Sequence, residues 1–491
     1  MYTWIVVTGG VFAFISAMGI GANDVANAYA TSVGSKALTI KQAVICATIF
    51  ESSGAILMGS HVTKTIRKGI ADYECFEDDP GALMYGCMWV CFSVGVWLFI
   101  ASKYEMPVST THSCVGGMIG MTIALKGTEC VNWYESRDMF PYIGGVSGII
   151  ISWIVSPVFS AIISTSLFGL MRKFILRSRQ SFNRTTYLFP VLIGTTITLN
   201  SFFIIYKGAK GLGLDDTPIS EATTLSFGIG GISAILIFPF TKKIRKNIIK
   251  SIEQKNSTIN NEKMDNIEQQ VSFIKKEKCC SLVTHINDNL NINLNEIVSN
   301  NDKVDKIHKN AENFEESTEE YFKSLQIFTA MCDSFSHGAN DVANAIGPFA
   351  AIYMIGRDAH VNKKNELGND AYWILALGGI GISLGLLLYG YKIMHTIGLK
   401  LCKITPSRGV AIELSSALVI ITGSRLEIPL STTHCQIGAT MGVAALEDPY
   451  KCSGMNCKIV VKTILGWIIT LIVVGTSCGI LTAQGVYAPE I

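Results

Sequence analysis

The sequence predicts an all-α integral membrane protein of about 12 transmembrane helices, built from inverted-topology repeats with discontinuous or re-entrant helices. Three observations predict it. Of 491 residues, 49% are hydrophobic and only 16% charged, against about a quarter charged in soluble domains. The apolar residues gather in runs near the roughly 20 residues that cross a bilayer. Two polar motifs set inside those runs occur twice, in the same order.

Twelve apolar runs can be placed. Seven lie near 4–22, 38–60, 83–101, 107–125, 142–170, 187–206 and 222–240; five follow near 325–353, 372–394, 409–424, 428–445 and 460–484. The first has no Lys or Arg before Lys36, so it lacks the basic n-region of a secretory signal and reads as a retained span. The division expected is an N-terminal membrane half over 1–240, a segment over 241–323, and a C-terminal membrane half over 324–491. The middle segment opens with Lys242, Lys243, Arg245, Lys246 and Lys250 and becomes rich in Asn, Lys and Glu. Such composition buries too little apolar surface to offset its ordering entropy, so a largely disordered cytoplasmic loop is expected.

Orientation follows from Lys and Arg, which gather on the cytoplasmic side. Arg172, Lys173, Arg177, Arg179 and Arg184 follow the fifth run, the basic start of the loop follows the seventh, and Lys400, Lys403 and Arg408 follow the ninth. Lys36 and Lys41 agree, whereas Lys64, Arg67 and Lys68 fall on the other side. Both termini are therefore expected outside and the long loop inside. With a formal net charge of +2 and no basic stripe, no nucleic-acid partner is implied; the bilayer is.

Gly21-Ala22-Asn23-Asp24-Val25-Ala26-Asn27-Ala28 recurs unchanged as Gly338 to Ala345, and Pro107-Val108-Ser109-Thr110-Thr111-His112 recurs as Pro429-Leu430-Ser431-Thr432-Thr433-His434. The offsets, 317 and 322 residues, are nearly equal, as one duplicated unit requires. The first motif enters from outside and its copy from inside, so the copies are inverted, a recurrent transporter plan.

A carboxylate within a membrane segment is costly and marks an ion path. Asp24 and Asp341 come with Asn23, Asn27, Asn340 and Asn344. Asp at i and Asn at i+3 share a helix face. The neighbouring glycines, with Ser336 and His337, are expected to break the helix and free carbonyls. Carboxylate, amide and carbonyl oxygens suit a small hard cation, so two cation sites are expected. The plain alternative is a polar packing seam; duplication with an acid argues against it.

In the second motif Pro, Ser and Thr favour a helix start, whose free amides and dipole attract oxyanions. Ser109, Thr110, Thr111, Ser431, Thr432 and Thr433 add hydroxyl donors. Two such starts meeting midway would cradle a tetrahedral anion without a fixed cation. His112 and His434 are open between ligand or proton sensor and packing or capping, with the latter favoured.

Glu51 and Glu413 also lie within apolar runs. Aligning the halves through Gly54/Gly385 and Gly59/Gly390 sets Glu51 opposite Ile382 and Glu413 opposite Cys91, so the glutamates are not mates and are read as coupling residues. Asp333, Asn200 and Arg425 receive no role. The 14 cysteines are scattered and read mainly as buried free thiols; a Cys75–Cys130 disulfide is compatible with the sequence but not dictated by it.

On these residues, with Gly59-Ser60-His61-Val62-Thr63 and Thr405-Pro406-Ser407-Arg408-Gly409, the sequence resembles the inorganic phosphate transporter family, the sodium–phosphate symporters known as PiT. The resemblance covers nearly all of the chain except the Asn-rich loop. It implies a twelve-span inverted-repeat fold, symport of inorganic phosphate with sodium at the plasma membrane, a homodimer, and no cofactor beyond the sodium ions. It further implies roles in transport for Asp24, Asp341, Glu51 and Glu413, with Ser109 and Ser431 near the anion. The residues alone reach a symporter of a tetrahedral anion with a small cation. Proton coupling, another oxyanion, or a non-transporting phosphate sensor remain alternatives. An enzyme is disfavoured, as no nucleophile–base pair is apparent.

Overall fold

A computed structural model describes residues 2–138, 142–206, 217–265, 290, 294–299, 301–361, 372–426, 428, 430–447 and 454–488. The chain is helical almost throughout. Helix α1 (Thr3–Ile20) widens into a π turn (Gly21–Val25) and continues as α2 (Ala26–Gly34). Then come α3 (Ile40–Lys68), α4 (Pro80–Lys103), α5 (Thr110–Lys126), α6 (Gly145–Met171), α7 (Ser181–Ile205), α8 (Ile219–Ile237) and α9 (Thr241–Asp265). Two short helices, α10 (Leu294–Ser299) and α11 (Asp302–Asn310), lead to α12 (Glu316–Asp358), α13 (Tyr372–Tyr389) and α14 (Tyr391–His395), which runs into a further π turn (Thr396–Leu401). The chain closes with α15 (Pro406–Arg425), α16 (Thr432–Ala445) and α17 (Cys457–Tyr487).

Each of the twelve apolar runs is helix. Seven helical stretches among the described residues are long and apolar enough to cross a membrane, from Thr3–Gly34 to Cys457–Tyr487. Helices α5 and α16, at 17 and 14 residues, are shorter, and α12 carries the second Gly-Ala-Asn-Asp motif. Ile154, Val158, Phe227, Ile235, Ile468 and Ile472 stand exposed on α6, α8 and α17. Apolar surface of this extent belongs against hydrocarbon, as in an integral membrane protein.

Helix starts follow their local chemistry. Asp79 accepts the Ala82 N–H ahead of Pro80 at the first position of α4, and Asn301 caps α11. Both satisfy amides that a helix start leaves unpaired.

Two expectations need correction. Within 241–323 the structure has α9, α10, α11 and the first turns of α12, where a largely disordered loop was expected; residues 266–289 lie outside the described residues. The segment before α12 is held by specific contacts as well as by the buried side chains of Val304, Ile307 and Ala311. Glu312 accepts from Arg172 and Arg177, Tyr321 donates to the Thr241 carbonyl, and buried Arg408 joins Glu447 and lies against the rings of Phe168 and Phe314. The second correction concerns the Gly-Ala-Asn-Asp motifs, which do not break their helices. The first widens into a π turn and the second is uninterrupted within α12.

The glycines act by allowing close approach instead. A Cβ on Gly338 would collide with the Glu51 backbone, and one on Gly21 with the Ile382 backbone. Gly54 meets Phe335 and Gly385 meets Met18 in the same way. These contacts pair up under the alignment of Glu51 with Ile382, so α3 against α12 repeats α1 against α13. Likewise α5 packs through Gly120 on Gly475 of α17, and α16 through Gly442 on Ala161 of α6.

The ends of the bundle differ. At one, Arg172, Arg177 and Arg408 meet Glu312, Lys403 meets Asn313, and His308 meets the Leu399 carbonyl. Two of the three basic clusters, those at Arg172–Arg184 and at Lys400–Arg408, therefore converge. Elsewhere Cys75 and Cys130 form a disulfide tying the chain after α3 to that after α5.

Candidate functional site

The site forms where the two Gly-Ala-Asn-Asp segments meet the starts of α5 and α16. Both short helices follow a serine in extended conformation, and both are capped alike: Ser109 accepts the His112 N–H at 3.2 Å and Ser431 the His434 N–H at 3.3 Å. The expected serine and threonine residues thus sit at helix N-termini. The first asparagine of each motif holds the linker. Asn23 accepts the Val108 N–H at 2.9 Å and donates to the Met106 carbonyl at 2.9 Å; Asn340 donates to the Leu430 carbonyl at 3.0 Å.

The two aspartates receive the threonine hydroxyls. Asp24 accepts from Thr110 at 2.7 Å, from Thr433 at 2.5 Å and from Asn27 at 2.9 Å. Asp341 accepts from Thr432 at 2.6 Å, Asn340 at 2.9 Å and Asn344 at 3.2 Å. Contacts cross between the copies. Thr111 donates to the Leu430 carbonyl and Thr433 to that of Val108, while Asn27 donates to Thr433 and Asn344 to Thr110 and Thr111. All these side chains are buried. The amide oxygens of Asn27 and Asn344, which correspond between the copies, are buried without a hydrogen-bond partner among the described residues. Unpaired buried acceptors are uncommon and call for an explanation such as an ion.

The residue whose role the sequence reading misassigned is His337, expected only to help break the helix and found inside α12. Its Nε2 lies 2.8 Å from Asp341 and 3.8 Å from Asp24, and its Nδ1 lies 3.1 Å from Glu51. Ser334 donates to the other Glu51 oxygen at 3.0 Å. Asp24, His337 and Asp341 can bring one ligand atom each within 4.8 Å of one another, a donor set that could hold a cation. A signal was present in the sequence. His337 corresponds to Ile20 and Glu51 to Ile382, so a facing polar pair in one half replaces an apolar pair in the other. Ile20 and Ile382 are both fully buried.

Glu413 stands in a separate cluster. It accepts from Thr31 at 2.5 Å, Ser32 at 2.8 Å, Gln326 at 3.1 Å and Thr329 at 2.6 Å. Asp333, left without a role, is buried one helical turn beyond Thr329 with Oδ1 unpartnered among the described residues. The Arg425 side chain lies outside the described residues.

The chain is similar over nearly its whole length to known phosphate transporters. The phosphate transporter family model matches residues 20–478. A putative phosphate permease of Haemophilus influenzae is 32% identical over 472 residues, covering 96% of this chain and 94% of that protein. Sodium-dependent phosphate transporter 1 of Rattus norvegicus is 26% identical, covering 96% and 94%. A solved structure of a sodium-dependent phosphate transporter superposes with a TM-score of 0.75 at 30% identity, over 99% of this chain and 100% of that one. By its sequence and its fold alike, the chain belongs to the phosphate transporter family.

Proposed function

We propose that this protein carries inorganic phosphate into the cytoplasm together with sodium ions, using the duplicated motifs as one central site. The observation that carries the reading is the meeting of Asp24 and Asp341 with the hydroxyls of both Ser-Thr-Thr turns, beside two orphaned amide oxygens. Carboxylate and amide oxygens of Asp24, Asn27, Asp341 and Asn344 form the hard donor set a sodium ion prefers. Asn23 and Asn340 shape the set by fixing the linkers. Ser109, Thr110, Thr111, Ser431, Thr432 and Thr433 would hold phosphate with the amide N–H groups of two helix starts.

Coupling follows from shared donors. Thr110, Thr432 and Thr433 now spend their hydroxyl protons on Asp24 and Asp341. A cation taking the carboxylate oxygens releases those protons toward an anion, so sodium binding prepares the phosphate site. Glu51 and Glu413, held in separate clusters, would tune release. In this reading 1–240 and 324–491 are two membrane halves of twelve spans in all, related as inverted repeats. Helices α5 and α16, at about 25 and 21 Å by their residue counts, would start within the bilayer as re-entrant elements. The convergence of basic clusters supports a cytoplasmic 241–323 segment and both termini outside. A homodimer in the plasma membrane, without cofactor, completes the proposal by family resemblance.

A second reading, proton coupling, is favoured by His337 between Glu51 and Asp341. Labelled phosphate uptake with sodium replaced by choline at two pH values decides. Uptake should collapse without sodium at both; uptake that survives and rises with acidity would overturn the sodium reading.

A further inference from the structure

Behind the anion cradle, four rings form a column through the bundle. Trp153 of α6 stacks on His112 with ring centroids 3.5 Å apart, His112 on His434 at 4.7 Å, and His434 against Trp467 of α17 at 3.5 Å. The histidine planes lie within 11° of parallel. Both histidines are buried. Nδ1 of each histidine and Nε1 of each tryptophan have no hydrogen-bond partner among the described residues, so these rings engage chiefly through their faces.

The column crosses the backbone packing. Helix α5 makes its closest approach to α17 and α16 its closest to α6. The rings instead link α6 to α5, α5 to α16, and α16 to α17. His112 and His434 each stand three residues after a capping serine, whose hydroxyl accepts that histidine's own amide. The separation of the two histidine rings therefore fixes the separation of the two helix starts.

We infer that Trp153, His112, His434 and Trp467 are positioning residues for the anion: their stack sets the spacing of the two Ser-Thr-Thr turns and with it phosphate affinity. The inference rests on the reading of those turns as the phosphate site. A ring one helix turn from the cradle has this leverage because the donors of both turns hold an anion only over a narrow range of distance, about 2.7–3.2 Å.

The test uses the full chain in proteoliposomes, with variants His112→Ala, His434→Ala, His112→Phe and His434→Phe, and phosphate and sodium titrated separately. Each Ala variant should raise the phosphate KM about tenfold or more, while the maximal rate per inserted protein and the sodium KM stay within about threefold. Each Phe variant, which keeps a stacking face and has no ring nitrogen, should recover most of the loss. An unchanged phosphate KM in the Ala variants overturns the inference. So does a Phe variant as impaired as Ala, which would make the ring nitrogens the functional atoms, or a sodium KM that rises in step, which would mark general disruption. Wild-type protein showing no saturable phosphate uptake refutes the underlying site reading first, and this inference with it.

Discussion

Replacing Gly338 with Ala tests how closely the two halves meet. The added Cβ would stand 2.8 Å from the Glu51 Cα and closer still to its carbonyl oxygen, whereas ordinary contact begins at 3.4 Å. Helices α3 and α12 must part by about 1 Å, and overpacking of this kind costs about 1–3 kcal/mol. The opening falls beside the 3.1 Å contact of His337 with Glu51 and one turn from Asp341. A shift of about 1 Å at a site costs roughly a hundredfold in rate. Phosphate uptake per inserted protein and thermal unfolding in detergent should both fall. Gly231→Ala on α8 is the control: nothing lies within 4 Å of its Cβ, and helix propensity favours Ala there by about 1 kcal/mol. Gly338→Ala protein that melts and transports like this control would refute the close approach.

Three further outcomes are expected. Asp24→Asn and Asp341→Asn should each abolish or strongly reduce sodium-coupled uptake while the protein still inserts; wild-type uptake with normal sodium dependence in both would remove the cation-site assignment. Part-burial raises the Glu312 carboxyl, but Arg177 and Arg172 outweigh it and hold the group below its ordinary value. Its stabilising contribution is thus present above the ordinary carboxylate range and lost as pH falls through the lowered value, so Glu312→Gln should melt lower near neutrality and lose less on acidification, and parallel pH profiles of melting temperature would count against this. Closing a loop of 55 residues, the Cys75–Cys130 bridge should contribute about 2–4 kcal/mol, and a membrane-impermeant reductant should open it in intact cells; resistance there with opening after permeabilisation would reverse the proposed orientation.

The helices were legible because burial in a bilayer demands long apolar runs, and Asp24, Asp341 and the Ser-Thr-Thr turns because duplication marks them. Ser109 and Ser431 cap as the sequence implied. The link of His337 to Glu51 was not legible from either residue alone, because the two lie far apart in the chain and only the packing of α3 on α12 brings them together. The partners of His112 and His434 were equally hidden: Trp153 and Trp467 correspond between the copies, yet they sit on helices that no motif marks. The helix over Thr241–Asp265 and the docked stretch around Glu312 escaped because composition reports the apolar area a segment can bury. It is silent on individual ion pairs and on aromatic rings closing over Arg408.

The uninterrupted course of α12 has a mechanical consequence. Its 43 residues span about 64 Å, roughly twice the hydrocarbon thickness. Near its start, Glu319 grips Ser407, and Thr318 meets Ser181; some 33 Å along it carries Asp341. Its internal proline, Pro348, lies beyond Asp341, so no proline joint interrupts the stretch before it to absorb a twist applied at the start. Any torque on its first turns, including one exerted through the chain between α9 and α12, is delivered to the carboxylate. The segment docked around Glu312 is thereby geared to the proposed cation site through the helix alone.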